Sequence, residues 1–302
     1  MLSMKQLAII GPTASGKSDL ALSLATHHNA LILSIDSLSI YREIDIASAK
    51  PSSEELSQVD HFGINILAPD ETAGVFTFID EYHRAFSTAT QQGKNLIIVG
   101  GSSFYLKSMI DGLSTIPKIS DDVRLETIIR LKNLEEAHRF LSDIDPQTMA
   151  KITPNDSYRI EKMLHLTLQT KTPPSLWFKE HPPVPIIHTC PILNIDVDRT
   201  LLRERIALRT DKMVTQGIID EVAELERLYG RAPNSMKAIG ILETLEFLDG
   251  KINKQKLLEE ISTHTAQLAK RQQTFNTHQF ALTASGSVEN LKEVATAILT
   301  RL

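Results

Sequence analysis

The 302-residue sequence is poor in cysteine and contains no long apolar run. Its one cysteine, Cys190, cannot form an internal disulfide, which excludes a secreted scaffold held together by disulfides. The longest apolar stretches, such as residues 96–99, have the length of a strand and fall short of the roughly 18 residues that a membrane-spanning helix needs. A glycine-rich motif begins at Gly11, where a cleavable leader would still be running, so no secretory signal is expected. These absences favour a cytoplasmic protein without a membrane partner.

The sequence also lacks an excess of basic residues. It contains 32 lysines and arginines against 37 aspartates and glutamates, which gives a formal net charge of −5. Up to Gly112 there are 7 basic and 12 acidic residues, and 25 of each follow, so the first segment carries the whole imbalance. Without a global basic field, a nucleic-acid partner would have to be bound by local patches. Charge alone therefore neither indicates nor excludes RNA binding.

What the sequence does contain is the composition of a globular protein, with 42% hydrophobic and 23% charged residues. Its first third alternates short apolar runs with helical patterns. The predicted elements are strands at residues 6–10, 31–35, 61–67 and 95–99, and helices at residues 17–26 and 76–92. Because such alternation requires right-handed crossovers, it predicts an α/β fold with a mostly parallel sheet and helices on both faces.

The middle of the chain has a different pattern. Residues 121–169 show helical segments and no convincing strand. Six of the thirteen prolines then fall within residues 173–191. Such a density of proline predicts an irregular linker that returns the chain to the sheet.

Beyond this linker the sheet pattern resumes. We expect a strand at residues 186–197 and long amphipathic helices at residues 199–229 and 253–275. A sheet domain interrupted by a helical insertion accounts for this order of elements. The predicted domains are a P-loop catalytic core of residues 1–116 and 186–302 and an all-helical insertion of residues 117–185.

The strongest motif is the G-x-x-x-x-G-K-S pattern of a phosphate-binding loop, which lies between a predicted strand and a predicted helix. Its glycines let successive backbone amides point at one anion, and the helix N-terminus adds its dipole. Lys17 supplies a positive charge, and the Ser18 hydroxyl can coordinate Mg²⁺. This context favours a phosphate site in a P-loop NTPase-like fold over a glycine-rich turn that binds nothing. The loop residues are Gly11, Pro12, Thr13, Ala14, Ser15, Gly16, Lys17 and Ser18.

The motif does not say which molecule carries the phosphate. A nucleoside triphosphate is the usual ligand, but the N-K-x-D marker of GTPases is absent and no convincing D-x-x-G follows a strand. A small-molecule or nucleotide kinase that uses ATP stays an alternative on the loop alone. A nucleotide-dependent RNA-binding switch without transferase chemistry is a further one.

Two other clusters lie where strands are predicted to end, which is where ligands gather in open α/β sheets. Asp36 follows the second strand and could act as a base or help to hold a metal, and capping of a following helix is an equally good interpretation. Ser102 follows Gly100 and Gly101 after the fourth strand. Its hydroxyl would lie at the same edge of the sheet or cap a helix.

Together, these stretches resemble the bacterial tRNA dimethylallyltransferases, also called tRNA isopentenyltransferases or the IPP transferase family. The matching segments occur in family order and span most of the chain, and only the phosphate loop among them is generic. They are GPTASGKS at residues 11–18, SIDSLSIYREIDIASAKP at 34–51, DHFGINIL at 60–67, GGSSFYLKSMIDGLS at 100–114, VR at 123–124, PNDSYRIEKML at 154–164, KAIGILE at 237–243 and AKRQQTF at 269–275.

The resemblance implies an activity. Members of the family transfer a dimethylallyl group from dimethylallyl diphosphate to the exocyclic amine of the adenosine on the 3′ side of the tRNA anticodon. Their phosphate loop binds the diphosphate of this donor rather than ATP, with Mg²⁺ near the position of Ser18. The adenosine has to leave its stack in the anticodon stem-loop to reach the donor. The resemblance also favours a monomer.

The resemblance further implies roles for single residues. Asp36 would act as general base on the adenine amine. Ser102, where the family usually has threonine, would contact the reacting groups and bind phosphate together with Arg124. Arg159 and Lys162, three residues apart, would share one helix face and meet RNA phosphates. The full set implied to contact tRNA is Asp36, Ser37, Leu38, Ser39, Ser102, Arg124, Tyr158, Arg159, Ile160, Glu161 and Lys162.

Some positions depart from the family pattern. Ser39 replaces a common glutamine, and Phe275 replaces a tryptophan. Ile241 and Leu242 replace an aromatic residue and a cation. These changes spare the phosphate loop, so we expect intact chemistry with altered RNA contacts. Residues 199–212 hold a further basic stretch, for which a solvated helix face is the favoured interpretation.

Overall fold

The computed structural model describes residues 4–300 of the chain. The chain divides into two compact units, of which residues 109–186 form one, here called the helical unit. The described residues before and after that segment form the other, here called the sheet unit. The insertion expected at residues 117–185 lies inside the helical unit. No helix in the described part of the chain is both long and apolar enough to cross a bilayer.

The sheet unit is built on one sheet, whose strands are β1 (Gln6–Ile10), β2 (Ala30–Ser34), β3 (His61–Phe62), β4 (Asn95–Val99), β5 (Ile192–Ile195) and β6 (Ala284–Gly286). The strand order is β3-β2-β4-β1-β5-β6, and every pairing of neighbours is parallel. The predicted α/β fold is therefore confirmed. The order places the ends of β2, β4 and β1 side by side, which is where the candidate site lies.

Helices connect these strands and make up the helical unit. In chain order they are α1 (Lys17–His27), α2 (Ser53–Gln58), α3 (Val75–Gln92), α4 (Ser103–Asp111), α5 (Asp121–Arg130), α6 (Leu134–Ile144), α7 (Pro146–Met149), α8 (Ser157–Thr170), α9 (Pro174–Glu180), α10 (Arg199–Gln216), α11 (Ile218–Tyr229), α12 (Ile241–Leu248), α13 (Lys254–Gln279) and α14 (Val288–Thr300). A short 3-10 helix, Asn234–Lys237, precedes α12.

The core of the sheet unit follows from its nearly continuous apolar strands. The sequences QLAII, ALILS and NLIIV of β1, β2 and β4 are buried almost throughout, as is typical of parallel strands covered on both faces. Leu7 and Ile9 of β1 share one buried cluster with Leu20 and Leu24 of α1. This packing holds the start of α1, and the phosphate loop before it, against the carboxyl end of β1.

The helical unit has a core of its own. Residues 121–169 contain α5 to α8 and no strand, which confirms that prediction. Leu141 of α6 and Leu164 of α8 are fully buried in its apolar cluster. Asp145, which caps α7, also accepts a hydrogen bond at Oδ2 from the N–H of Ser175 at 2.6 Å and so anchors α9.

The third strand is much shorter than predicted, since only His61 and Phe62 of residues 61–67 pair with β2. Gly63 and Asn65 have left-handed backbones, with φ of +74° and +57°, so the chain turns out of the sheet after Phe62. A side chain at Gly63 would also lie 2.2 Å from the carbonyl oxygen of Ser34. Apolar residues continue after Phe62, but the backbone no longer pairs with β2.

The proline-rich segment also differs from expectation. Residues 173–191 include a helix, α9, because Pro174 stands in its first turn, where a missing N–H removes no intrahelical hydrogen bond. The strand expected at residues 186–197 is limited to β5. Pro191 comes directly before β5 and has no N–H to pair with a neighbouring strand.

The last third contains one break and one strand that the pattern did not predict. The helix expected over residues 199–229 is two helices, α10 and α11, separated at Gly217 with φ of +100°. Strand β6 has the sequence ASG, which shows no alternation of apolar residues. It pairs with β5 at the edge of the sheet.

Candidate active site

The phosphate loop, residues 11–18, connects β1 to α1 as the motif predicts. Gly16 stands before the helix with a left-handed φ of +88°, a conformation that favours glycine. Within residues 4–300, the backbone N–H groups of Gly16, Lys17 and Ser18 donate to no other group. Unpaired N–H groups at a helix N-terminus form a site for an anion.

Other members of the loop shape it instead of offering N–H groups. Pro12 has no N–H, and the N–H of Ser15 donates to the carbonyl oxygen of Pro12 at 3.3 Å. The N–H of Thr13 donates to Oε1 of Gln272 on α13 at 2.8 Å. The eight predicted loop residues therefore differ in what they can give to a ligand.

Lys17 is the charged group of the loop. Its ammonium is buried and donates to the carbonyl oxygen of Pro12 at 3.0 Å. Burial lowers the pKa of Lys17 to about 8, the negative charge of Asp36 opposes this shift, and the positive charge of Arg209 adds to it. A bound polyanion would favour the charged ammonium, so protonation of Lys17 and anion binding are coupled.

Asp36 lies just beyond the carboxyl end of β2, and its two oxygens have different surroundings. Oδ1 accepts hydrogen bonds from the N–H groups of Leu38 at 2.9 Å and Ser39 at 3.2 Å. No donor among the described residues bonds to Oδ2. The helix-capping interpretation is wrong, because residues 36–50 form turns and the next helix begins only at Ser53. Oδ1 instead holds a turn and orients the carboxylate, while Oδ2 is open to a ligand.

The glycine pair after β4 allows two close approaches. A Cβ at Gly100 would lie 2.8 Å from the backbone carbon of Ile35, and a Cβ at Gly101 would lie 2.5 Å from Nε2 of Gln272. Gln272 Nε2 donates to the carbonyl oxygen of Gly101 at 3.0 Å. Since Gln272 also binds Thr13, one side chain connects the phosphate loop to the turn after β4.

Ser102 lies beside the segment that begins with Asp36. Its Oγ accepts a hydrogen bond from the N–H of Ser37 at 3.1 Å. Within the described chain no acceptor is bonded to the Ser102 hydroxyl hydrogen, so this group can donate to a ligand. The ends of β2 and β4 are thereby joined next to the Asp36 carboxylate.

Two cavities of the sheet unit meet at these groups, with volumes of about 610 and 750 Å³. Both lie in the range of small-molecule sites. Lys17, Asp36 and Arg209 line both of them. The predicted residues that line one cavity or both are Thr13, Lys17, Ser18, Asp36, Ser37, Leu38, Ser39 and Ser102.

Arg209 is a candidate that the sequence interpretation missed. Arg199 and Arg203 are exposed, as expected for a solvated helix face at residues 199–212. The expectation is wrong for Arg209, which lines both cavities and donates from Nη1 to Oγ1 of Thr13 at 3.2 Å. The basic stretch therefore has one face toward the phosphate loop.

A second arginine of α10 shares this face. Arg205, one turn before Arg209, donates from Nη1 to the carbonyl oxygen of Ser15 at 3.4 Å. Burial lowers the pKa of Arg209, and the negative charge of Asp36 opposes the shift. The i, i+4 spacing of the two arginines was the signal in the sequence that could have placed them together.

The residues implied to contact tRNA from α8 lie in the helical unit. Tyr158, Arg159 and Lys162 are exposed, and the Lys162 ammonium lies 5.1 Å from the centre of the Tyr158 ring. Arg159 pairs with Asp156 at 3.0 Å. Ile160 is fully buried in the core of this unit, which corrects its inclusion, since its side chain is not accessible to RNA.

The other two implied tRNA contacts of the helical unit are Glu161 and Arg124. The Glu161 carboxylate forms an ion pair with Lys162 at 2.9 Å and so reduces the positive charge of the exposed face of α8. Arg124 is exposed on α5 and pairs with Asp121 at 4.0 Å. Both ion pairs are solvent-exposed and weak enough for a phosphate to compete with the carboxylates.

Ser18 is the candidate ligand for a metal ion at this site. Ser18 is exposed at the second cavity, and its hydroxyl has no hydrogen-bond partner among the described residues. No three His, Cys, Asp or Glu side chains within residues 4–300 form a metal-binding group. This suits Mg²⁺, which commonly takes one or two protein ligands together with phosphate oxygens and water.

Comparison with known proteins shows the family to which the chain belongs. The family model described as IPP transferase matches residues 39–279. The tRNA dimethylallyltransferase of Sulfurimonas denitrificans is 54% identical over 296 residues, which cover 98% of this chain and 100% of that protein. The tRNA dimethylallyltransferase of Sulfurovum sp. is 51% identical over 96% of this chain and 97% of that protein.

Solved structures agree as well. The full-length tRNA isopentenylpyrophosphate transferase of Bacillus halodurans has a TM-score of 0.71 at 28% identity, and the match covers 98% of this chain and 97% of that one. A eukaryotic dimethylallyltransferase acting on tRNA has a TM-score of 0.83 at 23% identity, over 98% of this chain and 77% of that one, and this similarity concerns the fold alone. The chain belongs to the IPP transferase family.

Proposed function

We propose that this chain transfers a dimethylallyl group from dimethylallyl diphosphate to the exocyclic amine of the adenosine that follows the tRNA anticodon, with release of diphosphate. Family membership supports this class of reaction. The observation that carries the proposal is that Lys17 of the phosphate loop and Asp36 line the same two cavities. Transfer from a diphosphate to an amine requires both a site for the leaving anion and an acceptor for the amine proton.

The phosphate loop would bind the diphosphate of the donor. The free N–H groups of Gly16, Lys17 and Ser18, the Lys17 ammonium and the Arg209 guanidinium are the groups available for it. Negative charge builds up on the diphosphate as the allylic C–O bond breaks. These groups therefore stabilise the transition state more than the bound donor.

Asp36 would accept the proton of the amine. The adenine nitrogen attacks the allylic carbon, a C–N bond forms, and the C–O bond breaks with its electron pair leaving on the diphosphate. The nitrogen then has to lose one proton, and the open Oδ2 of Asp36 is a suitable acceptor. Because Leu38 and Ser39 hold Oδ1, the carboxylate stays oriented during the step.

Two further side chains and a metal ion are proposed to assist. The Ser102 hydroxyl, held by the N–H of Ser37, would donate a hydrogen bond to the reacting groups. Arg124 would bind a phosphate through its exposed guanidinium. The Ser18 hydroxyl would hold Mg²⁺, which would supply positive charge against the diphosphate.

The anticodon stem-loop of tRNA would be bound in part by the exposed face of α8, with Arg159 and Lys162 on phosphates and Tyr158 beside them. The target adenosine would leave its stack, because its amine has to reach a donor inside a cavity. The charge on this face is local, in agreement with the absence of a basic excess in the whole chain. We propose that the enzyme works as a monomer.

A paired titration tests the proposal. Binding of dimethylallyl diphosphate and of ATP is measured separately with Mg²⁺ present, and prenyl transfer is then assayed on an anticodon stem-loop RNA. Tight binding of the prenyl donor, weak binding of ATP and transfer to the RNA are expected. The opposite preference, with phosphoryl transfer from ATP, would establish the kinase alternative instead.

A further inference from the structure

One wall shared by the two cavities has almost no regular structure. It consists of residues 36–50, here called the wall segment. Ala47 and Ser48 line the first cavity, and Asp45 lines the second. Glu43 and Ala49 have left-handed backbones, with φ of +66° and +48°. Residues other than glycine keep this conformation only where surrounding contacts enforce it, so the wall segment needs strong anchors.

Residues 65–67 hold the first part of the wall segment through backbone hydrogen bonds to Ser39, Ile40 and Arg42. The anchor of residues 45–47 is Glu221 on α11. Its Oε2 accepts hydrogen bonds from the N–H groups of Asp45 at 2.9 Å and Ile46 at 2.7 Å. Its Oε1 accepts one from the N–H of Ala47 at 2.9 Å. Three successive N–H groups that converge on one point form a nest for an anion, and an ionised acceptor strengthens each bond. The Glu221 carboxylate is that anion.

The surroundings of Glu221 distinguish it from the other acidic residues of its helix. Within the described residues no lysine or arginine lies at salt-bridge distance from Glu221. Glu224, three residues further on, instead pairs with Arg227 at 2.5 Å on the exposed surface. The negative charge of Glu221 is thus directed entirely at the backbone of the wall segment.

A second contact from α11 acts on the same segment. The hydroxyl of Tyr229, the last residue of α11, lies 3.1 and 3.0 Å from the two carboxylate oxygens of Glu43. Glu43 is one of the two residues with a left-handed backbone. One helix therefore holds the wall segment at residue 43 and at residues 45–47.

We propose that Glu221 is a positioning residue for prenyl transfer. Glu221 binds the N–H groups of residues 45–47 and thereby fixes the wall segment. Because the wall segment lines both cavities and begins with Asp36, Glu221 also fixes that wall of each cavity. This inference rests on the proposed function. Glu221 contacts neither the phosphate loop nor Asp36 directly, so binding of the diphosphate does not depend on it, whereas placement of the adenine amine against the donor does.

The variant Glu221→Gln tests the role. It keeps the size of the side chain but replaces one acceptor oxygen with an amide group, whose hydrogens oppose the N–H groups of the nest. We expect the kcat of prenyl transfer to fall roughly 10- to 100-fold, as small misplacements of reacting groups do. Binding of inorganic diphosphate with Mg²⁺ should stay within about twofold, because the loop contacts are intact.

Amide hydrogen exchange supplies a readout that does not depend on activity. In Glu221→Gln the amides of residues 45–47 should exchange faster, while those of the sheet core stay protected. A merely structural role would lower the melting temperature and speed exchange in the core as well. Glu224→Gln, on the same helix, is the matched control and should change neither exchange nor kcat.

Glu221→Asp keeps the charge on a shorter side chain, so it serves as the test variant if Glu221→Gln does not fold. Its exchange rates at residues 45–47 and its kcat should lie between those of the native protein and those of Glu221→Gln. Unchanged exchange at residues 45–47 in either folded variant would overturn the positioning role. Absence of prenyl transfer in the native protein would instead refute the proposed function, and the exchange comparison would still decide whether Glu221 holds the wall segment.

Discussion

The Oγ of Ser102 accepts a hydrogen bond from the backbone N–H of Ser37 at 3.1 Å, which joins the turn after β4 to the turn after β2. Ser102 is the acceptor in this bond, and its hydroxyl hydrogen is bonded to no acceptor among the described residues. The hydroxyl can therefore donate to a ligand. The Asp36 carboxylate is next in sequence to Ser37. This contact therefore places the proposed hydrogen-bond donor beside the turn that carries the proposed base.

Substitution of Ser102 by alanine should impair the reaction more than the fold. The variant loses the acceptor for one exposed N–H, which costs roughly 0.5–1.5 kcal/mol, and loses the hydroxyl that lines the first cavity. We expect kcat/KM for prenyl transfer to fall about 10- to 100-fold, measured with an anticodon stem-loop RNA. Ser102→Thr keeps the hydroxyl and should retain most activity. Equal losses in both variants would contradict a role for the hydroxyl.

Asp36→Asn separates the two tasks of the Asp36 side chain. Asparagine can still accept the hydrogen bonds from Leu38 and Ser39 but cannot take a proton, so the turn should persist while the base is lost. We expect the turnover number to fall by roughly 10²–10⁴ with unchanged affinity for dimethylallyl diphosphate. Asp36→Ala should lose the turn bonds as well. Full turnover in the asparagine variant would refute the assignment of the base.

Donor binding should depend on pH through Lys17. Burial lowers the pKa of its ammonium to about 8 in the protein without donor, and a bound diphosphate favours the charged form. Donor affinity should therefore be constant below about pH 8. Above that pH it should fall by up to about tenfold per pH unit, until the pH reaches the higher pKa that Lys17 has in the complex. Isothermal titration calorimetry between neutral and alkaline pH measures this. In Lys17→Ala the affinity should be lower at every pH, and the same alkaline decline in that variant would contradict the assignment.

The parts of this molecule that the sequence predicted are those with local causes. A buried apolar strand, a glycine turn and a helix start are adjacent in the chain at residues 6–27, so the phosphate loop could be located from the sequence. Parallel strands end at one edge of the sheet, which is why Asp36 and Ser102 could be expected near Lys17. Each of these steps needs only neighbouring residues and a general rule of α/β topology.

The parts that the sequence did not predict depend on contacts between distant segments. Gln272 reaches Thr13 and Gly101 across the sheet unit, and Glu221 reaches residues 45–47 from another helix. The charge pattern along α10 does not reveal which face of the helix is covered, so it does not predict that Arg209 lines both cavities. Such residues look like ordinary polar helix positions until the packing of the helices is known.

A double substitution on α8 tests where RNA phosphates bind. Replacing Arg159 and Lys162 with alanine should weaken binding of the anticodon stem-loop and reduce the slope of log affinity against log salt by about one for each lost phosphate contact. Both side chains are exposed, and their contacts are surface ion pairs together with the approach of Lys162 to the Tyr158 ring, so stability should change by less than about 0.5 kcal/mol. Arg139→Ala, which removes an exposed arginine of α6 paired with Glu135, is the matched control and should leave the slope unchanged. An unaltered slope in the double variant would mean that this face of α8 does not contact phosphates.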